Sequence, residues 1–154
     1  MSTRTRLWTT SIAAILAASA TAGERGTPAE AKAMLQKAVA HYKAVGRKQA
    51  LADFTGKKPP FGDRDLYVFC IGSDRVEVAN GGFPSYVGVS ADALKDAKGK
   101  PVGRTMWEVG SSKGEGSVEY EWLNPVTHKT EAKVSFVQKV GEDVCGVGAY
   151  EPKR

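Results

Sequence analysis

The stretch VEYEWLNPVTHKTEAKVSFVQKVGEDVCGVGAY, residues 118–150, decides the fold class because it holds three strand-like segments separated by two turns. Tyr120 and Trp122 alternate with glutamates, which is typical of a β-strand whose two faces differ. Two further apolar segments follow at 133–140 and 144–150. Because the turns between the segments are short, the stretch predicts three consecutive antiparallel strands.

Ahead of this stretch, residues 66–71 form a continuous apolar run, LYVFCI, which predicts a buried strand. Residues 76–78 alternate as a further strand, so the two segments predict a hairpin. Residues 80–90 are rich in Gly, Pro and Ser and predict a loop. Two short helices are then predicted, over 91–97 and 102–109, before the chain enters the three final strands.

The N-terminal part of the chain carries helix signals. Thr27 and Glu30 fit a capping box around Pro28, a residue that is favoured at the first helical position. Apolar residues then recur at helical spacing as far as Val45, and a shorter helix is predicted over 47–54. The sequence therefore predicts an α+β fold, in which a long N-terminal helix packs on a five-stranded antiparallel sheet with a helical loop insertion.

The composition excludes several classes of protein. The chain has 154 residues, of which 42% are hydrophobic and 25% are charged, and this is typical of one globular domain rather than of a disordered chain. Two cysteines are too few for a disulfide framework or a zinc ribbon. The formal charge of +5 comes from basic residues that are mixed with acidic ones along the chain, so nucleic-acid binding is not expected.

The first 22 residues have the layout of a secretory signal peptide. Two early arginines form the positive start, residues 7–18 are mostly apolar, and ATA at 20–22 fits a cleavage site. Cleavage after Ala22 would leave residues 23–154 as one periplasmic or secreted domain. An uncleaved membrane anchor is the alternative, but the apolar stretch is short for a membrane span.

The two cysteines, Cys70 and Cys145, fall in two different predicted strands. In an oxidising compartment an even pair of cysteines can form a disulfide. Two buried thiols that act as small hydrophobic side chains are the alternative. The sequence does not separate the two interpretations, because a disulfide requires Cα atoms within about 7 Å of each other.

Five aromatic residues on the predicted strands are candidates for a ligand pocket, because aromatic faces with polar tips line many binding sites. Ordinary sheet core is the alternative interpretation for each of them. The five residues are Tyr67, Phe69, Tyr120, Trp122 and Tyr150.

Lys133 and Ser135 share one face of a predicted strand, and an ammonium group beside a hydroxyl group suits a ligand carboxylate. A solvated lysine on the outer face is the alternative interpretation. The two histidines, His41 and His128, lack the spacing of metal ligands, so neither a metal nor another cofactor is expected. No serine or cysteine has a recognisable His–acid pair, so we do not expect an enzyme.

An ordered set of segments across most of the chain resembles the single Cache domain family, a group of PAS-like sensor domains. No single motif carries the resemblance, which extends from about residue 29 to residue 150. The segments are ALADF (50–54), DLYVF (65–69), LKDAKGKP (94–101), YEWLNPVT (120–127), KVSFV (133–137) and GVGAY (146–150).

The resemblance implies a periplasmic sensor domain that binds a small metabolite, often an organic acid, in a pocket on the sheet. No kinase or methyl-accepting segment is recognisable, so signal transduction is expected to pass through a partner such as a membrane sensor or a transporter. Pairing of the N-terminal helix is a route to a homodimer. The alternative function is a ligand-free accessory protein that binds a membrane or periplasmic protein.

Overall fold

The computed structural model describes residues 25–151, so the predicted signal peptide and its cleavage site lie outside the described residues. Three helices and six strands are formed in this part of the chain. They are α1 (Pro28–Val45), α2 (Arg47–Thr55), β1 (Gly62–Asp63), β2 (Leu66–Ile71), β3 (Glu77–Asn80), α3 (Val102–Lys113), β4 (Glu115–Leu123), β5 (Thr130–Val140) and β6 (Asp143–Glu151). Two single 3₁₀ turns, Pro84–Tyr86 and Ala91–Ala93, lie between β3 and α3.

The strands form one antiparallel sheet in the order β3–β2–β6–β5–β4. The sixth strand, β1, is only two residues long and pairs with the start of β2. The predicted α+β fold is confirmed, and the predicted count of five strands differs only by this short addition. Strand β6 lies at the centre of the sheet, so side chains from β2 and β5 meet over it.

One face of the sheet is covered by α1 and α2. The predicted capping box is present at the start of α1, where the Thr27 hydroxyl accepts from the Glu30 backbone and the Glu30 carboxylate accepts from the Thr27 backbone. The apolar face of α1 packs on the sheet, as its spacing predicts. Buried residues on this face include Met34, Leu35, Tyr42, Phe54, Leu66, Val68, Cys70, Cys145 and Val147.

Cys70 and Cys145 are directly opposite each other on β2 and β6, and their sulfur atoms are bonded. The sequence left a disulfide and two free thiols as equal alternatives, and the structure has the disulfide. The bond joins positions that are 75 residues apart. In the chain-entropy model, closing a loop of this size stabilises the folded state by about 4.5 kcal/mol.

The other face of the sheet is covered by α3 and by the segment between β3 and α3. The buried residues on this face include Phe69, Ile71, Ala91, Val102, Met106, Val137 and Val144, together with three tyrosines described below. No helix in residues 25–151 is both long enough and apolar enough to cross a membrane.

Two helix predictions in this covering segment need correction. The helix predicted over 91–97 is only the single turn Ala91–Ala93, because the Asp96 carboxylate accepts the backbone N–H groups of Lys98 and Lys100 and forms a turn. The helix predicted over 102–109 continues to Lys113. It ends where Gly114 adopts a positive φ of 80°, a conformation that glycine reaches without steric cost.

Candidate functional site

Two glycines of the central strand open space on the face that α3 covers. Gly146 and Gly148 lie on β6 between neighbours that carry large side chains. A β-carbon added to Gly148 would lie 2.3 Å from Lys133 Cε, and one added to Gly146 would lie 2.4 Å from Phe69 Cζ. The absence of these two side chains therefore lets Lys133 and Phe69 extend across the middle of the sheet.

Lys133 is almost fully enclosed, with 3% of its surface exposed. Its Nζ donates to the hydroxyls of Tyr67 at 2.8 Å and Tyr150 at 3.3 Å. The same atom lies 4.2 Å from the ring centre of Tyr67, 4.5 Å from that of Tyr150 and 5.9 Å from that of Tyr120. These ring faces attract the ammonium group. Among residues 25–151, Nζ has no third hydrogen-bond partner.

Burial lowers the pKa of Lys133 to about 7, although the nearby carboxylates of Asp65 and Glu77 favour its charged form. The direct hydrogen-bond partners of Nζ are tyrosine hydroxyls, which carry no charge. An ammonium group held this way lacks a counter-ion at hydrogen-bonding distance among the described residues. A ligand carboxylate at this position would supply one.

The tyrosine hydroxyls are joined to each other and to the backbone. Tyr150 donates to the carbonyl of Leu123 at 2.7 Å, and the Tyr67 and Tyr150 hydroxyl oxygens lie 3.2 Å apart. The Tyr120 hydroxyl lies 2.8 Å from Ser135 Oγ. Burial raises the pKa of all three tyrosines above the ordinary value, so their hydroxyls remain protonated at neutral pH. Protonated hydroxyls can donate hydrogen bonds, and that of Tyr150 already donates to Leu123.

A small cavity of about 30 Å³ lies between this side of the sheet and α3. Its size suits one or two water molecules. Tyr120 and Trp122 pack edge to face with their ring centres 5.8 Å apart and form part of the wall. The lining consists of Tyr67, Phe69, Ile71, Glu77, Asn80, Leu94, Val102, Gly103, Met106, Tyr120 and Trp122.

The structure brings the seven predicted ligand-binding residues to this one face of the sheet. Four of them line the cavity itself, namely Tyr67, Phe69, Tyr120 and Trp122. The other three, Lys133, Ser135 and Tyr150, contact lining residues through the hydrogen bonds described above. Their role in binding a ligand stays a prediction. The alternative of a solvated Lys133 on the outer face is wrong, because the side chain is buried.

Glu77 lies on the cavity wall and was not predicted as a site residue. Only 4% of its surface is exposed. Its Oε1 accepts from Asn80 Nδ2 at 2.9 Å, whereas its Oε2 is buried and has no hydrogen-bond partner among residues 25–151. Burial raises the pKa of Glu77 to about 7, with the Asn80 hydrogen bond and the Lys133 charge opposing the shift. The cavity therefore has an acidic group in its wall, and Lys133 is hydrogen-bonded to another wall residue, Tyr67.

No signal in the sequence identifies Glu77 or Asn80. A glutamate between two valines in a short strand is typical of a solvent-exposed position on a two-faced strand. Pairing between β2 and β3 shifts register between Cys70 and Ile71, so that Glu77 pairs with Ile71, a residue of the covered face. Such an irregularity redirects side chains, and it depends on tertiary pairing rather than on local sequence.

A second polar cluster joins the start of α1 to the turn between β4 and β5. Asp65 accepts the backbone N–H of Gly26 at 2.7 Å and a proton of Asn124 Nδ2 at 3.1 Å. Asn124 Nδ2 also donates to Glu131 at 2.9 Å, and the guanidinium of Arg25 donates to both carboxylate oxygens of Glu131. The Arg25 hydrogen bonds hold the pKa of Glu131 down at about 2. Asn124 in this cluster directly follows Leu123, whose backbone carbonyl accepts the hydrogen bond from Tyr150.

These groups can bind a small polar molecule. An ammonium group and tyrosine hydroxyls lie beside the carboxylate of Glu77, of which Oε2 has no hydrogen-bond partner among residues 25–151. No group of three or more potential metal-ligating side chains occurs within the described part of the chain.

Solved structures with the same fold include chemotaxis proteins and a chemosensory domain. A methyl-accepting chemotaxis protein from Vibrio parahaemolyticus RIMD 2210633 has a TM-score of 0.66 and 20% identity, covering 79% of this chain and 86% of its own. A Cache chemosensory domain described for carboxylic acid recognition has a TM-score of 0.60 and 23% identity, with 79% and 86% coverage. A periplasmic sensor domain of a chemotaxis protein has a TM-score of 0.62 and 19% identity, with 79% and 88% coverage.

At these identities the structures establish the fold alone. No match was found among curated proteins. The family model described as Single Cache domain 2 matches residues 9–150, which is most of the chain. Members of this family are extracytoplasmic sensor domains that bind small molecules. The chain therefore belongs to the Single Cache domain 2 family.

Proposed function

We propose that this protein is a periplasmic sensor domain that binds a small carboxylate at Lys133. The carrying observation is that the Lys133 ammonium is buried among three tyrosine rings, with no carboxylate of residues 25–151 at hydrogen-bonding distance. A charged amine in such surroundings favours an anionic ligand that completes its hydrogen bonding. The solved Cache domain described for carboxylic acid recognition supports the same class of ligand.

Each residue of the site has a role in this proposal. Lys133 supplies the charge, and the hydroxyls of Tyr67 and Tyr150 orient the carboxylate. Ser135 holds Tyr120 in place through the hydrogen bond at 2.8 Å. Phe69 and Trp122 provide apolar walls that exclude water from the ion pair, which strengthens it.

Signal transduction in this proposal depends on a difference in ligand affinity between two conformations. The hydrogen bond from Tyr150 to Leu123 lies next to the Asn124 cluster, which holds the start of α1. A carboxylate that competes for the Tyr150 hydroxyl would alter this connection, and a partner protein would detect the position of α1. Export by a cleaved signal peptide and a homodimer through α1 are further parts of the proposal.

Thermal unfolding and calorimetric titration with small carboxylates test the proposal. A ligand at about 100 times its Kd should stabilise the protein by about 2.7 kcal/mol, which corresponds to a shift on the order of 10 °C. Lys133→Met should weaken carboxylate binding at least tenfold. Lys139→Met is the matched control, because Lys139 lies on the same strand but is exposed.

Three outcomes would contradict the proposal. If neither carboxylates nor related anions bind the folded protein, a ligand-free accessory protein becomes the better interpretation. If carboxylates bind equally well to Lys133→Met and to the unaltered protein, the site lies elsewhere. If Lys139→Met weakens binding as much as Lys133→Met, then surface charge rather than the buried site attracts the anion.

A further inference from the structure

We infer that the ligand carries a hydrogen-bond donor, a hydroxyl or an ammonium group, next to its carboxylate, and that Glu77 is the residue that selects for this donor. The inference rests on the proposed function, because it specifies the ligand class of the same cavity. It depends on a separate observation, which is the buried and unpartnered Oε2 of Glu77.

One oxygen of the Glu77 carboxyl group, Oε2, is a buried acceptor without a hydrogen-bond partner among residues 25–151. Its exposed fraction is 4%, so water outside the protein does not solvate it. No lysine or arginine among the described residues lies within ion-pair distance of it, and Lys133 influences it only electrostatically. An unsatisfied buried acceptor costs free energy, and a ligand donor would remove that cost. An apolar ligand of the same shape would not.

The orientation of the Glu77 carboxyl is determined by its neighbours. Asn80 Oδ1 accepts the backbone N–H groups of Gly82 at 3.0 Å and Phe83 at 2.7 Å. The amide nitrogen of Asn80 must therefore point towards Glu77, where it donates to Oε1 at 2.9 Å. Oε1 is occupied in this way, which leaves Oε2 as the group available to a ligand.

Glu77 lines the cavity directly, whereas Lys133 lies behind its wall and reaches it through Tyr67. Tyr67, whose hydroxyl accepts from Lys133, and Glu77 both line it, on β2 and β3. A simple monocarboxylate would neutralise Lys133 but leave Glu77 without a partner. A 2-hydroxy or 2-amino acid carries a carboxylate for Lys133 and a donor for Glu77 in one small molecule.

The geometry provides a shape-preserving test in Glu77→Gln. The fixed amide of Asn80 donates, so the introduced glutamine must turn its own carbonyl oxygen towards Asn80. Its NH₂ group then points into the cavity, which converts the acceptor into a donor without a change of volume. Ligand preference should change accordingly.

Four three-carbon acids of similar size separate the possibilities in calorimetric titrations. Propionate has no polar group at carbon 2, lactate has a hydroxyl donor, alanine has an ammonium donor, and pyruvate has a carbonyl acceptor. The measurements are made at pH 8, where the Glu77 carboxyl is mostly ionised because its pKa is about 7. All four ligands carry the same carboxylate, so the protonation of Lys133 cancels in the ratios of their affinities.

The unaltered protein should bind lactate or alanine at least tenfold more tightly than propionate and pyruvate. Tighter binding of lactate identifies a hydroxyl as the donor, and tighter binding of alanine identifies an ammonium group. Glu77→Gln should lose this preference and bind pyruvate better than lactate. A thermal unfolding curve for the variant checks that it is folded.

The inference is overturned if the unaltered protein binds neither lactate nor alanine more tightly than propionate, while the proposed function survives if these acids bind in a Lys133-dependent way. A preference for lactate that persists in Glu77→Gln also overturns it, because another residue would then recognise the donor. Failure of all four acids and of other carboxylates to bind contradicts the proposed function itself. Should Glu77→Gln not fold, the affinity ratio in the unaltered protein still decides the question.

Discussion

Two carboxylates of this protein, Glu77 and Glu131, are buried to nearly the same extent, with 4% and 5% of their surface exposed. Glu131 accepts hydrogen bonds from Arg25, Asn124 and Thr127, and its pKa falls to about 2. Among residues 25–151, the Glu77 carboxylate accepts only from Asn80, and its pKa rises to about 7. At the same depth of burial, the ionised form of the glutamate is thus stabilised at position 131 and destabilised at position 77.

The difference distinguishes charged groups that hold the fold together from charged groups that are available to bind a ligand. Around Glu131 the charges are paired and connect the start of α1 to the sheet. Around Glu77 and Lys133 the fold buries two ionisable groups without joining them in an ion pair. Buried groups with shifted pKa values and incomplete hydrogen bonding concentrate at functional sites, because their cost is compensated only by what they bind.

The largest expected effect comes from Glu131→Gln. Loss of the Arg25 ion pair should destabilise the protein by about 3 kcal/mol at pH 7, at the lower end for a buried pair because the Arg25 side chain is 30% exposed. The folded-state pKa is about 2 against 4.5 when unperturbed, so this contribution is present above pH 4.5 and is lost as the pH falls to 2. Chemical denaturation at pH 7 and pH 3 measures it. An equal loss at both pH values would contradict the ion-pair explanation.

Glu77→Gln is the matched substitution and should act in the opposite direction. Its folded-state pKa of about 7 exceeds the ordinary 4.5, so the ionised carboxylate costs stability above pH 7 and nothing below pH 4.5. The variant should therefore be more stable than the unaltered protein by about 2 kcal/mol at pH 8, allowing for the cost of its unpartnered amide. The gain should shrink towards zero near pH 4.5. A destabilised variant at pH 8 would show that the carboxylate is structural.

Gly148→Ala tests whether the buried position of Lys133 depends on the space that Gly148 leaves open. The added methyl group would lie 2.3 Å from both Lys133 Cε and Ser135 Oγ, so the lysine must move. We expect a loss of about 1–2 kcal/mol in stability, typical of overpacking, together with at least tenfold weaker carboxylate binding. Gly56→Ala is the control, because that glycine is exposed and has an ordinary negative φ. Unchanged ligand affinity in Gly148→Ala would separate Lys133 from the site.

The smallest effect is expected for the exposed ion pair between Lys98 and Glu121. Their charged atoms lie 3.4 Å apart, but 75% of the lysine side chain is exposed. Lys98→Ala should change stability by less than about 0.5 kcal/mol, because solvent screens such pairs. Denaturation midpoints at low and high salt measure this. A loss as large as that of Glu131→Gln would mean that burial does not explain the contrast between the two sites.

Much of the fold follows from local sequence patterns. The capping box around Thr27, the apolar run of β2 and the alternation in β4 predict their elements within a few residues of the observed bounds. The errors fall in the segment between β3 and α3, where the side chain of Asp96 forms a turn in place of the predicted helix. Side-chain to backbone hydrogen bonds of this kind compete with helix formation and have no periodic signature.

The candidate site was only partly accessible to sequence analysis. Alternation in β5 places Lys133 and Ser135 on one face, and the structure buries both of them there. Periodicity assigns a residue to a face, but it does not say whether that face is covered. Glu77 could not be identified at all, because its burial depends on an irregular pairing between β2 and β3.

The sequence by itself determined the order and type of most elements and which residues of β4 and β5 share a face, since these depend on local periodicity and on the spacing of turns. The family followed from the resemblance of an ordered set of segments. Tertiary structure alone decided the bond between Cys70 and Cys145, the enclosure of Lys133 by tyrosine rings and the unpartnered carboxylate of Glu77. The physical reason is that bonding, burial and hydrogen-bond satisfaction depend on which distant segments meet. In this protein, Phe69 and Lys133 from two distant strands extend over the two glycines of β6.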